Sequence, residues 1–185
     1  MEELIKYIRQ FVELDQAAID ELYLRAEVEK YRKNEHILEV GERCHKIWFL
    51  KSGMVRKYYL HNGKEVTIWM HTENQTFTAL QSYAHQTPST EYLQACEDTE
   101  VIGITRSNSK KLARFPQFVA FTNAMMEREF VEVDVNTKAM NQLDARGRYE
   151  HLRKIAPEVV RRAKLGHIAS VIGVSQETLS RIRKG

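Results

Sequence analysis

The spacing of apolar residues changes along the chain, and each change predicts a different kind of element. Residues 2–12 carry apolar side chains on one stripe at helical spacing, which predicts an amphipathic helix. A second helix is expected to begin at Asp15, because an aspartate side chain can cap free backbone N–H groups. Its buried positions are expected to be Ile19, Leu22 and Leu24, or positions near them. The pattern therefore predicts two helices at the start of the chain.

Strand-like runs replace the helical pattern between His36 and Ile104. These runs are short and rich in Ile, Val, Trp, Tyr and Phe, and turn signals separate them. Asn62 and Gly63 lie between two such runs, and this pair is a strong hairpin signal because both turn positions need a positive φ. Several short strands at this spacing predict a small β-barrel or jelly roll.

The helical period returns near Lys110 and is longest between Pro116 and Leu143. Proline suits the first turn of a helix, and apolar residues then recur at intervals of seven, as in a coiled-coil seam. Glu129 and Asn136 interrupt that seam, so a helix lying on its own domain's core is the alternative. Shorter helices are expected at 146–155, 157–164, 166–172 and 176–184. The residues predicted to form a dimer interface are Val119, Met126, Phe130, Val133 and Met140.

These elements predict an α+β protein with three regions. Residues 1–115 are expected to form a double-stranded β-helix, or jelly roll, that acts as a sensor domain. Residues 116–144 are expected to form a long dimerisation helix, and residues 145–185 a small helix-turn-helix domain.

The spacing of small and apolar residues near the C-terminus is typical of a helix-turn-helix. Ala169 suits the point where two helices cross closely, and Gly173, four positions later, suits a left-handed turn. Ser175 is the expected N-cap of the second helix. The positions expected to bury the pair are Ile168, Ile172, Val174, Leu179 and Ile182.

The remaining side chains of the second helix are polar and are candidates for reading DNA. Arginine can bond guanine O6 and N7, and glutamate can accept from cytosine N4. Glu177 and Arg181 share a helical face, although the same spacing also allows a surface salt bridge. The predicted DNA-binding residues are Ser175, Gln176, Glu177, Thr178, Ser180, Arg181, Arg183 and Lys184.

Charge distribution supports a nucleic-acid partner. Residues 145–185 contain ten Lys/Arg and three Asp/Glu, a charge of +7, so the rest of the chain carries −4 of the total +3. There is no apolar run of about 20 residues and no signal-like start, which predicts a cytoplasmic protein without a membrane segment. Cys44 and Cys96 are too few for a four-thiolate metal site and are expected to be free thiols, and no cofactor is expected.

The segment 173–182 resembles the Crp/Fnr superfamily of transcription regulators, in the style of Bacteroidetes-type members. Glu177, Ser180 and Arg181 look like the base-reading set of the Fnr branch. The resemblance extends over nearly the whole chain and implies double-stranded DNA and a second copy of the chain as partners. RNA polymerase and an unidentified small-molecule effector are further candidate partners.

Two departures from the family change the expected function. Family members that bind cyclic nucleotides hold the phosphate with glycine, glutamate and arginine, but residues 64–102 contain no glycine and no arginine. A response to cyclic AMP is therefore not expected. In addition, the sequence ends at Gly185, whereas the family usually adds a β-hairpin wing that contacts the DNA backbone. The residues predicted to form an effector pocket are Glu73, Phe77, Tyr83, Gln86 and Ser89.

Two other function classes stay open. A jelly roll can be a cupin-like metalloenzyme, but His71-Thr72-Glu73 lacks the second histidine of a cupin ligand set, and His45 has no ligand spacing. We therefore expect no metal site and no enzyme activity. The other alternative is an effector-binding protein whose DNA-reading helix has degenerated, and a DNA selection would distinguish it.

Overall fold

The computed structural model describes residues 1–184, and these residues form nine helices and eight strands. The helices are α1 (Glu2–Ile8), α2 (Gln16–Arg25), α3 (Leu80–His85), α4 (Arg106–Leu112), α5 (Pro116–Gln142), α6 (Ala145–Ile155), α7 (Pro157–Arg162), α8 (Leu165–Val171) and α9 (Gln176–Lys184). Within residues 1–184, no helix is long and apolar enough to cross a membrane.

The two N-terminal helices form largely as the sequence predicts. Asp15 caps α2, accepting a hydrogen bond from the backbone of Ala18 at 2.8 Å, and Leu22 is fully buried. The prediction for Leu24 was wrong, because this side chain is 73% exposed on the outer face of α2. The first helix ends at Ile8, earlier than predicted, although backbone hydrogen bonds of the turn type continue as far as Val12.

The strands form two antiparallel sheets that we call the β-roll. The strands are β1 (Ala26–Tyr31), β2 (His36–Leu38), β3 (Lys46–Ser52), β4 (Val55–His61), β5 (Lys64–His71), β6 (Thr76–Phe77), β7 (Tyr92–Ala95) and β8 (Thr99–Thr105). One sheet has the order β1-β8-β3-β6, and the other has the order β2-β7-β4-β5. Strand β5 is therefore an edge strand.

A two-residue turn joins β4 to β5. His61 pairs with Lys64 across the hairpin, and the two residues between them, Asn62 and Gly63, have φ values of 49° and 74°. Positive φ at both positions matches the right-handed twist of the flanking strands. The hairpin prediction is confirmed.

The space between the two sheets is filled by apolar side chains. Its fully buried members include Leu50, Val55, Leu93 and Val101, and Trp48 stacks on Phe77 with ring centroids 5.6 Å apart. A second cluster packs α1 and α2 against the outer face of the first sheet and the beginning of α5.

Helix α5 begins at Pro116 and continues for 27 residues. Its first turns pack on the N-terminal helices, since Phe118 is buried there and the guanidinium of Arg128 donates to the Tyr7 hydroxyl at 2.6 Å. Asp144 then caps α6 by accepting from the backbone of Gly147 at 2.7 Å. A new helix thus begins directly after α5.

Helices α6 to α9 form a small unit that we call the C-terminal bundle, residues 145–184. The predicted helices in this part of the chain are present, with ends shifted by one or two residues. Gly185, the last residue of the predicted third region, lies outside the described residues. The division of the chain into three functional regions stays a prediction.

Candidate nucleic-acid interface

The turn between α8 and α9 is closed by backbone hydrogen bonds. Gly173 has a φ of 68°, a left-handed conformation that glycine adopts without a steric penalty. The N–H of Val174 donates to the Ala169 carbonyl at 2.9 Å, and that of Gly173 donates to the Ser170 carbonyl at 3.1 Å. These two bonds form a Schellman motif, which satisfies the free carbonyls at the end of α8.

A compact apolar core fixes α9 against α8 and α6. Ala169 is buried at the predicted crossing point, and Leu179 of α9 is fully buried beside it. Tyr149 and Leu152 of α6 complete this core. The other predicted packing residues also belong to it, and they are Ile168, Ile172, Val174 and Ile182.

The start of α9 is capped as predicted. The Ser175 hydroxyl accepts from the backbone N–H of Thr178 at 3.2 Å, which satisfies one of the free donors of the first turn. The side-chain oxygen of Gln176 lies against Gly166 at the start of α8, where an added Cβ would be 3.1 Å away. The cap and this contact fix the direction in which α9 leaves the turn.

The polar side of α9 faces solvent. Gln176, Glu177, Arg181, Arg183 and Lys184 are exposed, whereas Thr178 and Ser180 are half-buried at the edge of that face. Burial of Leu179 makes this side the outward one, because a helix that buries one stripe must expose the opposite one.

Glu177 and Arg181 form no ion pair among residues 1–184. The Arg181 guanidinium instead donates to the Thr178 hydroxyl at 3.5 Å, a long contact. The pKa of Glu177 is lowered, first by the free backbone N–H groups at the start of α9 and then by the Ser175 hydroxyl. Both charged groups therefore remain available to an external partner.

Helix α8 lies against the edge of the β-roll. The Ser170 hydroxyl accepts from the backbone N–H of Thr67 in β5 at 2.8 Å and donates to the Thr67 carbonyl at 3.2 Å. Trp69, farther along β5, packs on the apolar core of the C-terminal bundle. One serine thus satisfies both backbone groups of an edge-strand residue.

A second contact between the C-terminal bundle and the β-roll is ionic. The Arg162 guanidinium donates to both carboxylate oxygens of Glu73, at 2.7 and 2.9 Å, and also to Glu97. Glu73 additionally accepts from the backbone N–H of Gly53 at 2.9 Å. These contacts lower the pKa of Glu73, although burial acts in the opposite direction.

A buried arginine forms the third contact. Arg56 of β4 is 4% exposed, and its guanidinium bonds Gln94 at 2.8 Å and Glu65 at 2.6 Å. It also lies 3.2 Å from Nε2 of His167 in α8. An arginine can only donate, so His167 accepts through Nε2 and is neutral. Burial, and then the charge of Arg56, lower the pKa of His167 to about 4.

The predicted dimer interface lies on the outward side of α5. Phe130 is 78% exposed, Val133 61% and Met126 58%, and Val119 is also exposed. Met140, the fifth predicted residue, is half-buried. The alternative prediction was a helix that lies on its own domain's core. It describes the first turns of α5, which pack on the protein's own core.

The five predicted effector-pocket residues have different surroundings, and several already bond within the protein. Phe77 is part of the core between the sheets, and Glu73 bonds Arg162. The amide of Gln86 bonds His45 and two backbone carbonyls, and Ser89 is buried with its hydroxyl bonded to the backbone of Glu91. Tyr83 packs against the same core. Neither of the two cavities described below is lined by any of the five.

Two cavities in the described part of the chain lie against the β-roll. The first, of about 360 Å³, lies between the β-roll and the C-terminal bundle, with Arg56, Arg162 and His167 in its wall. The second, of about 390 Å³, lies between β5 and α5 and includes Glu129, whose pKa is raised by burial. Sequence reasoning missed both, because their walls combine residues far apart in the chain.

The histidines weighed as metal ligands lie in other surroundings. His71 stacks on Phe77 with ring centroids 5.6 Å apart, and Nδ1 of His45 lies 2.9 Å from the Gln86 amide oxygen. Within residues 1–184, no three His, Cys, Asp or Glu side chains are grouped as metal ligands would be. The two cysteines are free, Cys44 buried and Cys96 partly so.

Sequence comparison identifies one family along part of the chain. Residues 28–114, which include the β-roll from β1 onward and α4, match the model of the cyclic nucleotide-binding domain. No curated protein matches the chain significantly in sequence.

Solved structures match the chain over most of its length. FixK2 from Bradyrhizobium japonicum is 24% identical, with a TM-score of 0.68 over 86% of this chain and 83% of that one. The c-di-GMP responsive global regulator CLP of Xanthomonas campestris is 13% identical, with a TM-score of 0.69 over 92% and 90%. A Eubacterium rectale protein assigned to the Crp/Fnr family of transcriptional regulators is 18% identical, with a TM-score of 0.68 over 97% and 86%. The chain therefore has the fold of Crp/Fnr regulators, and residues 28–114 match the cyclic nucleotide-binding domain family in sequence.

Proposed function

We propose that the chain is a dimeric transcription regulator of the Crp/Fnr type whose helix α9 enters the major groove of DNA. The observation that carries the proposal is the exposed polar face of α9. This face begins at a capped turn, is held by a buried core on its other side, and lies in the region of the chain with a charge of +7.

Within this proposal the polar residues of α9 divide into two groups. Arg181 and Glu177 read a G·C pair, because both are exposed, lie four positions apart and are free of each other. Thr178 and Ser180 lie at the edge of the same face and also point toward the major groove. The residues that position the helix on phosphates are Arg183, Lys184, Gln176 and Ser175.

The exposed apolar stripe of α5 supports a two-fold dimer. Phe130, Met126 and Val133 lie on one side of the helix, and each is more than half exposed among residues 1–184. A second copy packed on this stripe would bury all three side chains. It would also present two copies of α9 to successive major grooves, about 34 Å apart, so that the binding site is an inverted repeat.

We further propose that cyclic AMP and cyclic GMP are not the effectors, although residues 28–114 match a cyclic nucleotide-binding domain. Two of the predicted effector-pocket residues, Gln86 and Ser89, already bond within the protein. One arginine does lie near this segment, because an isolated β-bridge pairs Arg43 with Pro88. Calorimetry that finds micromolar binding of either nucleotide would refute this part of the proposal.

The proposed function is tested by selecting from random duplex DNA at one fixed salt concentration. We expect an inverted repeat to be enriched. Arg181→Ala should weaken binding to the selected site by about 1–3 kcal/mol per half-site and relax the preference for guanine at one position. Lys184→Ala should weaken binding to every sequence alike and reduce the salt slope by about one ion per subunit.

Lys110 provides the matched control. It is an exposed lysine on α4, in a different part of the fold, so Lys110→Ala removes the same charge without touching α9. Binding should then stay unchanged. Failure to enrich any sequence would instead favour the effector-binding protein with a degenerate reading helix.

A further inference from the structure

The cavity between the β-roll and the C-terminal bundle is lined by more cationic than anionic groups. Its wall contains Lys33, Arg56, Arg162 and Lys164, against the two carboxylates Glu65 and Glu97. Two carboxylates lie behind this wall, Glu73 on Arg162 and Asp98 on the backbone N–H of Lys33, whereas the lining itself has an excess of positive groups. A cavity of about 360 Å³ is large enough for a small metabolite.

The excess charge resides on two lysines at the rim. Arg162 is paired with Glu73 and Glu97, and Arg56 is paired with Glu65. Within residues 1–184, neither Lys33 nor Lys164 has a carboxylate oxygen within 4 Å of its ammonium group, and both residues are exposed. Lysine is a mobile point charge that suits a phosphate or a carboxylate.

Two further groups in the wall, His167 and Cys96, lie close to these cationic side chains. The charges of Arg56 and Lys164 both act to lower the pKa of His167 and that of the Cys96 thiol. Burial has the larger effect on each, and it raises the pKa of Cys96 to about 11. Nδ1 of His167 is buried without a hydrogen-bond partner, and it carries the ring proton because Nε2 accepts from Arg56. His167 is therefore a neutral member of the wall, and the cationic groups of the cavity are its lysines and arginines.

We propose that this cavity binds a small organic dianion, a phosphate ester or a dicarboxylate, between the β-roll and the C-terminal bundle. Lys33 from the β-roll and Lys164 from the C-terminal bundle would hold the anion from opposite sides. Because each side of the site comes from a different unit, the ligand stabilises the arrangement in which the two are docked. The proposal does not depend on DNA binding.

Cys96 offers a direct measurement because it lines this cavity, whereas Cys44 is fully buried elsewhere. The full chain is treated with N-ethylmaleimide, and labelling of each cysteine is followed by mass spectrometry. Inorganic phosphate and succinate are the two probes, each exchanged against chloride at constant ionic strength. We expect millimolar concentrations of at least one probe to slow the labelling of Cys96 several-fold, and the comparison distinguishes a phosphate site from a dicarboxylate site.

A charge-matched pair of variants makes the test specific. The rim variant is Lys33→Gln with Lys164→Gln, and its control is Lys110→Gln with Lys111→Gln, two exposed lysines on α4. Protection in the rim variant should need at least about fivefold more anion, and the control should behave as the original chain does. Equal protection in both variants, or none by either anion in the original chain, overturns the proposal. Matching circular dichroism melts show that the variants fold.

Discussion

Ser170→Ala tests how the C-terminal bundle is held against the β-roll. The substitution removes one hydroxyl that bonds both backbone groups of Thr67, at 2.8 and 3.2 Å. Alanine keeps the helix, because it is the best helix former. The apolar contacts of Trp69 with the same bundle stay in place.

The cost of this change follows from the burial of Thr67, which is 2% exposed. A buried backbone group that loses its partner costs about 1–3 kcal/mol. A water molecule entering the vacated space would bring the cost toward the lower limit. Docking of the C-terminal bundle should therefore weaken by roughly 5- to 150-fold.

Amide hydrogen exchange at Thr67 measures this weakening directly. Its N–H is protected by Ser170 and not by a strand partner on that side, so its exchange rate follows undocking. We expect exchange at Thr67 to become faster by at least the same factor, because its N–H also loses its partner while the bundle is docked, with little change at the buried Val55. Ser170→Thr, which keeps the hydroxyl, should restore most of the protection.

Ser107→Ala is the matched control, because this exposed serine on α4 bonds only the Thr105 hydroxyl. Its effect should stay within about 0.5 kcal/mol. If Thr67 exchanges at the same rate in Ser170→Ala and in the original chain, the hydroxyl does not hold the bundle in place and the reasoning is wrong.

Three other changes test the dimer, the histidine and the turn. Replacing Met126 and Val133 by Asp should produce a monomer by light scattering, because two charges cannot be buried in the proposed seam. In the docked state the pKa of His167 is lowered from 6.5 to about 4. Between these two pH values the undocked state therefore binds a proton that the docked state does not bind. Docking should therefore weaken as the pH falls below 6.5 until about 4, and His167→Gln should flatten this dependence in hydrogen exchange. Gly173→Ala should destabilise the C-terminal bundle by about 1–2 kcal/mol in thermal melts, because φ is 68° and an added Cβ would lie 3.2 Å from the Arg148 guanidinium.

Each of these predictions has a result that contradicts it. Val131→Asp adds a charge on an exposed valine away from the apolar stripe. If this variant is also a monomer, the dimer is lost for a reason other than charge in the proposed seam. A pH dependence that persists in His167→Gln would assign the titration to another group. An unchanged melt for Gly173→Ala would mean that the turn tolerates a side chain.

Local chemistry made much of the fold predictable. Asn62 and Gly63 predict the hairpin, Gly173 the left-handed turn, and Asp15 the helix cap, because each depends on the conformational preference of a residue and its close neighbours. Leu24 shows the limit of this reasoning. A helical stripe gives the spacing of buried positions, but it does not fix the rotation of a helix as short as the ten residues of α2.

The docking of the C-terminal bundle could not be predicted in this way. Ser170 and Thr67 are 103 positions apart, and Arg162 and Glu73 are 89 apart, so no periodic pattern connects them. Glu73 illustrates the difference. The sequence predicts a role for it in an effector pocket, whereas its carboxylate bonds an arginine from the other end of the chain. That pairing exists only after both units have folded.

The position of α8 also protects the chain from associating with itself through its sheets. Strand β5 is the open edge of its sheet, and an open edge with free backbone groups is a template for another strand. Helix α8 covers that edge at Thr67, and Trp69 is partly buried against the same bundle. A chain whose C-terminal bundle has moved away would expose an unpaired edge beside a large aromatic ring. Conditions or variants that release the bundle should therefore promote aggregation, because the same docking that places α9 also covers this edge.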